Sequence, residues 1–224
     1  MIKAVLFDLD GTLADTAPDL GFALNSLLIR YDRTPQPMEK IRPMASHGAR
    51  GLLELGFGIK PNDPYFDEMR TEFLDLYLNN ICRETKLFDG MEDVLKQLEA
   101  KKIKWGIVTN KPKRFTDPLM VLLKLDKRAA CCVSGDSYDR PKPYPDSILG
   151  AAKEISIESN KIVYVGDDER DMQAARAAGT QAVIAKWGYM GNGNATDKWP
   201  SDASIDQPKD LLAYLSAQSA KIKL

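Results

Sequence analysis

Residues 4–16 read AVLFDLDGTLADT, and this stretch decides the fold prediction. An uninterrupted apolar run, Ala4 to Phe7, leads directly into Asp8, Leu9 and Asp10 and then into a Gly-Thr pair. A short run that is apolar at every position is typical of a strand buried on both faces of a parallel sheet. Residues two apart on an extended chain point to the same side, so we expect the two carboxylates to share one site at the end of this strand.

Apolar runs of the same kind recur along the chain, and most of them precede an amphipathic helical pattern. The runs occupy residues 2–7, 104–109, 129–134, 161–166 and 181–185. Apolar strands that alternate with helices are typical of a parallel sheet covered on both faces. The sequence therefore predicts a doubly wound, Rossmann-like α/β domain, with a loop over the Gly- and Asn-rich residues 188–202.

One connection between predicted strands is far longer than the others. Roughly 95 residues separate the first strand from the second, whereas a single crossover needs only a fraction of that length. The interval shows no strand pattern, and its helical patterns cover residues 19–31, 48–57 and 65–81. We therefore expect an α-helical cap domain at residues 15–84, inserted into a core domain that consists of residues 1–14 and 85–224.

Composition and charge disfavour several classes of function. The formal net charge is -1 with both signs mixed along the chain, so no nucleic acid partner is expected. No run of about 18 apolar residues is present, so neither a membrane span nor a membrane partner is expected. The N-terminus shows no signal-peptide pattern.

Histidine and cysteine are scarce, which narrows the available chemistry. His47 is the only histidine, so zinc sites of the His-Cys type and Ser-His-Asp triads are disfavoured. Two of the three cysteines, Cys131 and Cys132, are adjacent, which disfavours a disulfide framework and indicates a reducing cytoplasm. Catalysis is therefore left to carboxylates, hydroxyls and amines.

Polar side chains collect where the predicted strands end. In chain order they are Asp8, Asp10, Gly11, Thr12, then Thr109, Asn110, Lys111, then Arg140, Lys142, and last Asp167, Asp168, Asp171. The carboxyl ends of parallel strands meet at one edge of the sheet, where open α/β sheets bind ligands. Carboxylates packed this closely repel one another unless a cation joins them, and oxygen ligands of this kind suit Mg²⁺. A lysine and a hydroxyl beside them suit an anionic substrate.

Four segments of the sequence match a known set of motifs in the same order. They are DLDGT at 8–12, VTN at 108–110, KP at 142–143 and VGDDERD at 165–171. With these motifs the sequence resembles the haloacid dehalogenase superfamily of phosphohydrolases over nearly its whole length. Within that superfamily it is similar to the phosphoglycolate phosphatases and to the N-acetylmuramic acid 6-phosphate phosphatases, through GAR at 48–50, LFDGM at 87–91 and WGIVTNKPKRF at 105–115.

The resemblance implies catalytic or metal-binding roles for several positions of these motifs. Asp8 is expected to be the nucleophile that takes the phosphoryl group, and Asp10 the acid that protonates the leaving oxygen and then the base that activates water. Thr109 and Lys142 are expected to hold the phosphoryl oxygens. The residues implied for Mg²⁺ are Asp8, Asp10 through its carbonyl oxygen, Asp167 and, in support of the metal's waters, Asp171.

Substrate contacts are expected from the core and from the cap. In the core the motifs point to Gly11, Thr12 and Asn110. In the cap, His47 and Arg50 lie at the start of a helical pattern, and Arg50 aligns with a cap arginine that meets substrate anions in several relatives. A helix start with an arginine is a good anion site, although an exposed arginine or an ordinary helix-start histidine would give the same pattern.

The function expected from these features is hydrolysis of a small phosphate monoester by a Mg²⁺-dependent phosphatase through an aspartyl phosphate. The substrate would be 2-phosphoglycolate or a sugar phosphate such as N-acetylmuramic acid 6-phosphate, and the protein a monomer or a homodimer. A phosphomutase of the same superfamily would carry the same four motifs. A phospho-aspartate receiver module is the other alternative, but receivers are about half this length and carry no cap.

Overall fold

Parallel strands form the central sheet of the computed structural model, which describes residues 1–190 and 196–220. In spatial order they are β5 (Cys132–Val133), β4 (Lys104–Val108), β1 (Ala4–Phe7), β6 (Ile162–Gly166), β7 (Gln181–Ala185) and β8 (Ala203–Ile205). Every neighbouring pair in this sheet is parallel. The predicted doubly wound α/β fold is confirmed.

Strand β1 lies in the interior of the sheet, and its side chains alternate between two buried faces. Phe7 is paired in register with Ile107 of β4 on one side and with Val165 of β6 on the other. Val5 and Phe7 belong to one hydrophobic cluster, whereas Ala4 and Leu6 belong to the second. The chain runs from β1 outward through β4 and β5, then returns to β6 beside β1, so strand order reverses at β1. A crevice at such a reversal point is the usual ligand site of an open α/β sheet.

Helices cover both faces of the sheet, as continuous apolar strands require. The buried residues of α5 (Met91–Ala100), α6 (Lys113–Leu122) and α9 (Asp210–Ala220) pack in the cluster that holds Phe7. Those of α7 (Asp146–Glu154) and α8 (Glu169–Ala177) pack in the cluster that holds Leu6. Each of these clusters withdraws apolar side chains from water, at roughly 25 cal/mol for each Å² buried.

The long connection after β1 is helical. It contains α1 (Ala17–Arg30), α2 (Met38–Ile41), a 3₁₀ helix (Arg42–His47), α3 (Gly48–Phe57) and α4 (Phe66–Leu78). Helix α1 packs against α3 and α4 through fully buried leucines that include Leu24 and Leu28. Gly56 permits the close approach of α3, because a Cβ there would lie 2.8 Å from Cδ1 of Leu24.

Two short strands flank the long helical connection. β2 (Ala14–Asp15) pairs antiparallel with β3 (Lys86–Leu87). The predicted division, with a cap at 15–84 and a core at 1–14 and 85–224, has its boundaries at this pair. The division of the chain into two domains remains a prediction.

Several elements carry no signal that the sequence patterns would reveal. β2, β3 and β8 have two or three residues each, which is too short for an alternating pattern to be recognised. Helix α6 begins at Lys113, before the apolar pattern that starts at Pro118, so that Pro118 lies inside the helix. Within the predicted loop at 188–202, Thr196–Lys198 form a 3₁₀ turn, and residues 191–195 lie outside the described part of the chain.

Candidate active site

A cavity of about 330 Å³ opens where β1 and β4 end, between the core and the helical segment. The predicted site residues that line it are Asp8, Asp10, Thr109, Asn110, Lys142 and Asp171 from the core, with His47 and Arg50 from the cap. Gly11, Thr12 and Asp167 are not part of this lining, as far as the chain is described. Both the strand ends and the cap therefore contribute to one cavity.

Three carboxylates from β1, β6 and the start of α8 form a compact cluster. Asp8, Asp167 and Asp171 each offer an oxygen, and these oxygens lie within 4.8 Å of one another. Burial raises the pKa of Asp8 to about 7, against the pull of Lys142 and with the help of Asp171. Burial, with Asp8 and Asp171 close by, also raises the pKa of Asp167 well above its ordinary value. The raised pKa values mean that the protein does not fully stabilise the negative charge of all these carboxylates when they are ionised.

Lys142 is the cation that the chain itself supplies to this cluster. Its Nζ lies 2.9 Å from Oδ1 of Asp8 and 2.7 Å from Oδ1 of Asp171, and its side chain is 2% exposed. The ammonium also donates to the hydroxyl of Tyr164 at 2.8 Å and to the carbonyl of Val108 at 3.1 Å. Although burial opposes the charged form, Asp171 and Asp8 raise the pKa of Lys142. The lysine is therefore a permanent charge beside the nucleophile position.

Asn110 positions Lys142, because its side-chain amide is bonded to the lysine's backbone. Oδ1 of Asn110 accepts from the N–H of Lys142, and Nδ2 donates to the carbonyl of Lys142, both at 2.9 Å. Thr109 is 2% exposed, and its hydroxyl accepts from the N–H of Lys111 at 3.1 Å. Both Asn110 and Thr109 line the cavity, and the substrate contact predicted for Asn110 stays a prediction.

Gly11 and Thr12 act on Asp167 and do not reach the cavity. The hydroxyl of Thr12, fully buried, donates to Oδ1 of Asp167 at 2.8 Å. Gly11 has φ +82°, and a Cβ there would lie 2.3 Å from Oδ2 of Asp167, so only glycine fits. The observed contacts of Gly11 and Thr12 are to a carboxylate of the predicted metal site, and their predicted role in substrate binding stays a prediction.

The Asp10 side chain is bonded to Lys111 and Thr16. Its Oδ1 lies 2.9 Å from Nζ of Lys111 and accepts a 2.5 Å hydrogen bond from the hydroxyl of Thr16. Although burial opposes the ammonium form, Asp10 raises the pKa of Lys111. Asp10 is not one of the three carboxylates whose oxygens lie within 4.8 Å of one another, and its predicted metal contact is through its carbonyl oxygen only.

The two carboxylate oxygens of Asp171 have different partners. Its Oδ1 pairs with Lys142, and its Oδ2 accepts from the N–H of Asp168 at 3.1 Å. The Asp168 carboxylate in turn accepts from the N–H of Arg170 at 2.9 Å, which completes a capping box at the start of α8. The prediction for Asp171 was support of the metal's waters; the observed contacts are to the lysine and to the helix start.

His47 and Arg50 are exposed residues at the start of α3 that line the cavity. Among the described residues neither side chain forms an ion pair or a hydrogen bond. Arg170, by contrast, is paired to Asp168 and donates to the carbonyl of Ser46 at 3.0 Å, so it connects α8 to the cap. Arg50, which has no partner in the described part of the chain, remains available to a ligand.

Sequence reasoning missed several residues of the site. Lys111 was noted at a strand end without a role, and its position after Thr109 and Asn110 was the signal that could have identified it. Tyr189 donates its N–H to Oδ2 of Asp167 at 2.8 Å, and its hydroxyl accepts from the N–H of Thr16 at 2.6 Å. Nothing in the predicted loop at 188–202 indicated these contacts, because they depend on the folding of distant segments against each other.

The chain belongs to the haloacid dehalogenase-like hydrolases, whose family pattern matches residues 5–185. The fold and the four strand-end motifs define it as a hydrolase of this family. It is 34% identical over 96% of its length to an N-acetylmuramic acid 6-phosphate phosphatase of Pseudomonas aeruginosa, of which it covers 95%. It is 38% identical over 93% of its length to a phosphoglycolate phosphatase of Xanthomonas campestris pv. campestris, of which it covers 94%.

Solved structures show the same architecture. A predicted phosphoglycolate phosphatase from Haemophilus somnus superimposes with a TM-score of 0.84 at 25% identity, covering 96% of this chain and 98% of that one. A putative phosphoglycolate phosphatase from Lactobacillus delbrueckii subsp. bulgaricus gives a TM-score of 0.82 at 26% identity, covering 93% of this chain and 96% of that one.

None of the helices in the described part of the chain has the length and apolar content that a membrane crossing requires.

Proposed function

We propose that this protein is a Mg²⁺-dependent phosphatase that hydrolyses a small phosphate monoester through an aspartyl phosphate on Asp8. That it is a phosphoric monoester hydrolase follows from its family and from relatives that are named phosphatases over nearly their full length. The proposal adds the metal, the intermediate and the substrate. One observation supports it most strongly: the buried ammonium of Lys142 lies 2.9 Å from Asp8, in a cavity that residues of the helical segment also line.

The proposed reaction has two displacements at phosphorus. In the first, an oxygen of Asp8 forms a bond to phosphorus while the ester P–O bond breaks, and Asp10 gives its proton to the departing alcohol. In the second, Asp10 takes a proton from water, whose oxygen attacks phosphorus and releases inorganic phosphate from Asp8. Lys142 and the hydroxyl of Thr109 would hold the phosphoryl oxygens as charge moves.

The residues present fit a divalent cation. Three carboxylate oxygens within 4.8 Å of one another are hard ligands of the kind that Mg²⁺ prefers. Asp167 is held ready by the hydroxyl of Thr12 and the N–H of Tyr189. We infer that Asp8 and Asp167, with the carbonyl of Asp10, would bind Mg²⁺, and Asp171 would support it. When bound, the cation supplies charge neutralisation for the carboxylates and the phosphoryl oxygens.

Removal of the metal is expected to abolish turnover reversibly. EDTA should reduce the rate of p-nitrophenyl phosphate hydrolysis at least about 100-fold, because the buried carboxylates would then repel the phosphate dianion, and added Mg²⁺ should restore the rate. Trp187, whose Nε1 donates to the carbonyl of Thr12 at 3.0 Å, offers a second readout. Its fluorescence should change on Mg²⁺ addition, and Trp187→Phe should remove that change. Full activity in EDTA would rule out the metal dependence.

For the substrate we propose 2-phosphoglycolate or a sugar phosphate such as N-acetylmuramic acid 6-phosphate, the compounds in the names of the relatives. Arg50 and His47 would meet the part of the substrate that is not transferred. Detection of free phosphate, rather than an isomerised sugar phosphate, separates this function from a phosphomutase.

We place the enzyme in the cytoplasm, since its described cysteines are free thiols.

Arg50→Ala is expected to raise KM for the physiological ester at least about tenfold, while KM for p-nitrophenyl phosphate changes much less. A lost hydrogen bond to a charged group is worth about 1.5–3 kcal/mol, and loss of uniform binding appears in KM. Arg176→Ala is the matched control, because that arginine pairs with Asp202, at 2.7 Å, outside the cavity. Equal changes for both esters would remove Arg50 from substrate selection.

A further inference from the structure

Lys111 is a buried lysine of the cavity that has no role in the reaction proposed above. It follows β4 two residues after Thr109, its side chain is 7% exposed, and it lines the cavity together with Asp10. Although burial opposes its charged form, Asp10 raises the pKa of Lys111, so the side chain is an ammonium near neutral pH. A buried charge is costly unless it is paired, so the partners of this ammonium indicate what it does.

The backbone of Lys111 is hydrogen-bonded on both sides, so its side chain starts from a fixed point. The N–H donates to the hydroxyl of Thr109 at 3.1 Å. The carbonyl accepts from the N–H of Gly135 at 2.9 Å and from the buried hydroxyl of Thr116 at 3.2 Å. At the other end of the side chain, Nζ lies 4.6 Å from the centre of the Tyr77 ring, a distance at which cation and ring attract. These contacts limit where the ammonium can lie.

The two oxygens of the Asp10 carboxyl group have different surroundings. Oδ1 accepts from two donors, the ammonium of Lys111 at 2.9 Å and the hydroxyl of Thr16 at 2.5 Å. In the part of the chain that the structure describes, Oδ2 forms no hydrogen bond and no ion pair. The Asp10 side chain is 15% exposed, at the cavity. Because Oδ1 already accepts from two donors, a proton on this carboxyl group belongs on Oδ2.

We propose that Lys111 is a positioning residue for proton transfer by Asp10: with Thr16 it holds Oδ1, so that Oδ2 is the oxygen that exchanges the proton. In the first displacement the Oδ2–H bond breaks and the proton passes to the departing alcohol, while Asp8 bonds to phosphorus and the ester bond breaks. The negative charge left on Asp10 then lies beside the Lys111 ammonium. In the second displacement Oδ2 takes a proton from the attacking water. The inference rests on the proposed function and adds a residue that acts through Asp10.

Two aryl phosphates whose leaving groups differ in acidity test this role. The 2,4-dinitrophenolate ion leaves without a proton, whereas phenol departs far more readily when an acid protonates it, so phenyl phosphate is the ester that needs Asp10. The quantity measured is kcat/KM, which covers the steps up to cleavage of the ester bond. Lys111→Met should lower kcat/KM about 100-fold for phenyl phosphate and less than about threefold for 2,4-dinitrophenyl phosphate. Lys113→Met is the control, because it loses only an exposed pair with Asp117 and should leave both values unchanged.

A double variant separates the positioning of Asp10 from direct binding of phosphate by Lys111. Asp10→Asn removes the acid, and release of phenol from phenyl phosphate is then followed in a single turnover with enzyme in excess. If Lys111 acts through Asp10, adding Lys111→Met to Asp10→Asn should change this rate less than about threefold, because the group it positions is already gone. A loss of about 100-fold in both backgrounds would mean that the ammonium binds the substrate itself, and would overturn the proposal.

Thr16→Val decides the question if Lys111→Met does not fold, because it removes the other donor to Oδ1. It should lower kcat/KM about tenfold for phenyl phosphate and less than about threefold for 2,4-dinitrophenyl phosphate. An equal loss for both esters in Lys111→Met, or in Thr16→Val where Lys111→Met is unfolded, removes the positioning role and leaves the phosphatase. Absence of phosphate release from both esters by the unmodified enzyme rejects the proposed function, and this inference with it.

Discussion

Asp8→Asn should lower kcat for any phosphate monoester by at least about 10⁴-fold while the protein remains folded. An amide oxygen carries no negative charge and is a poor nucleophile toward phosphorus, and loss of a covalent nucleophile costs several orders of magnitude. The fold should tolerate the change, because Asp8 lies in a cluster with excess negative charge and burial already raises its pKa to about 7. We expect an unfolding midpoint equal to or above that of the unmodified protein.

Rapid acid quenching with a labelled phosphate ester measures the intermediate directly. The unmodified enzyme should retain up to one labelled phosphoryl group per chain, and Asp8→Asn should retain none. Asp117→Asn is the control, since that carboxylate forms an exposed pair with Lys113 at 3.2 Å and does not line the cavity. Label bound equally by Asp8→Asn would show that another residue is the nucleophile.

Lys142→Met is expected to damage stability and catalysis together. The ammonium is buried between Asp8 and Asp171, and its removal leaves two carboxylates without their cation. Breaking a buried ion pair from one side costs about 3–5 kcal/mol of unfolding free energy. Because the same ammonium would bind the phosphoryl oxygens, kcat/KM should fall at least about 10³-fold. Urea unfolding and steady-state kinetics measure the two losses.

A second substitution separates these two effects. Asp171→Asn in the Lys142→Met background removes one of the orphaned charges, so a large part of the lost stability should return while activity stays low. The matched surface change, Lys113→Met, should cost no more than about 1 kcal/mol, since exposed pairs contribute little. If the double variant were as unstable as Lys142→Met alone, charge burial would not be the cause of the instability.

The fold was predictable because its signals are local and repeated. Short apolar runs such as 161–166 alternate with amphipathic helices, and this pattern alone indicates a parallel sheet with both faces covered. The strand-end carboxylates Asp8 and Asp167 and the amine of Lys142 could be assigned to one edge by topology. The short strands β2, β3 and β8 were missed, because pairing with a neighbour, not an internal pattern, makes them strands.

Neighbouring polar residues in the motifs contact different partners, and residue type alone does not reveal which partner each one contacts. Asn110 and Thr109 both follow β4 and line the cavity. The Asn110 amide is bonded to the backbone of Lys142, whereas the Thr109 hydroxyl accepts from the N–H of Lys111. Thr12 follows the nucleophile closely and yet serves Asp167, which is 155 residues away. The contact of Asn110 with Lys142 and that of Thr12 with Asp167 both depend on how segments far apart in sequence pack together. A motif match gives no information about this packing.

From its sequence alone, this protein is identifiable as a doubly wound α/β hydrolase with a long helical insertion and a carboxylate-and-lysine chemistry at its strand ends. The alternation of apolar runs with helical patterns predicts the fold, and the order of the four motifs predicts the chemistry. The tertiary structure alone decided that Asp10 pairs with Lys111 and Thr16, and that Arg70 and Tyr77 of α4 line the same cavity as Asp8. These relations join residues far apart in sequence, and only packing of the helical segment against the core brings them within contact distance.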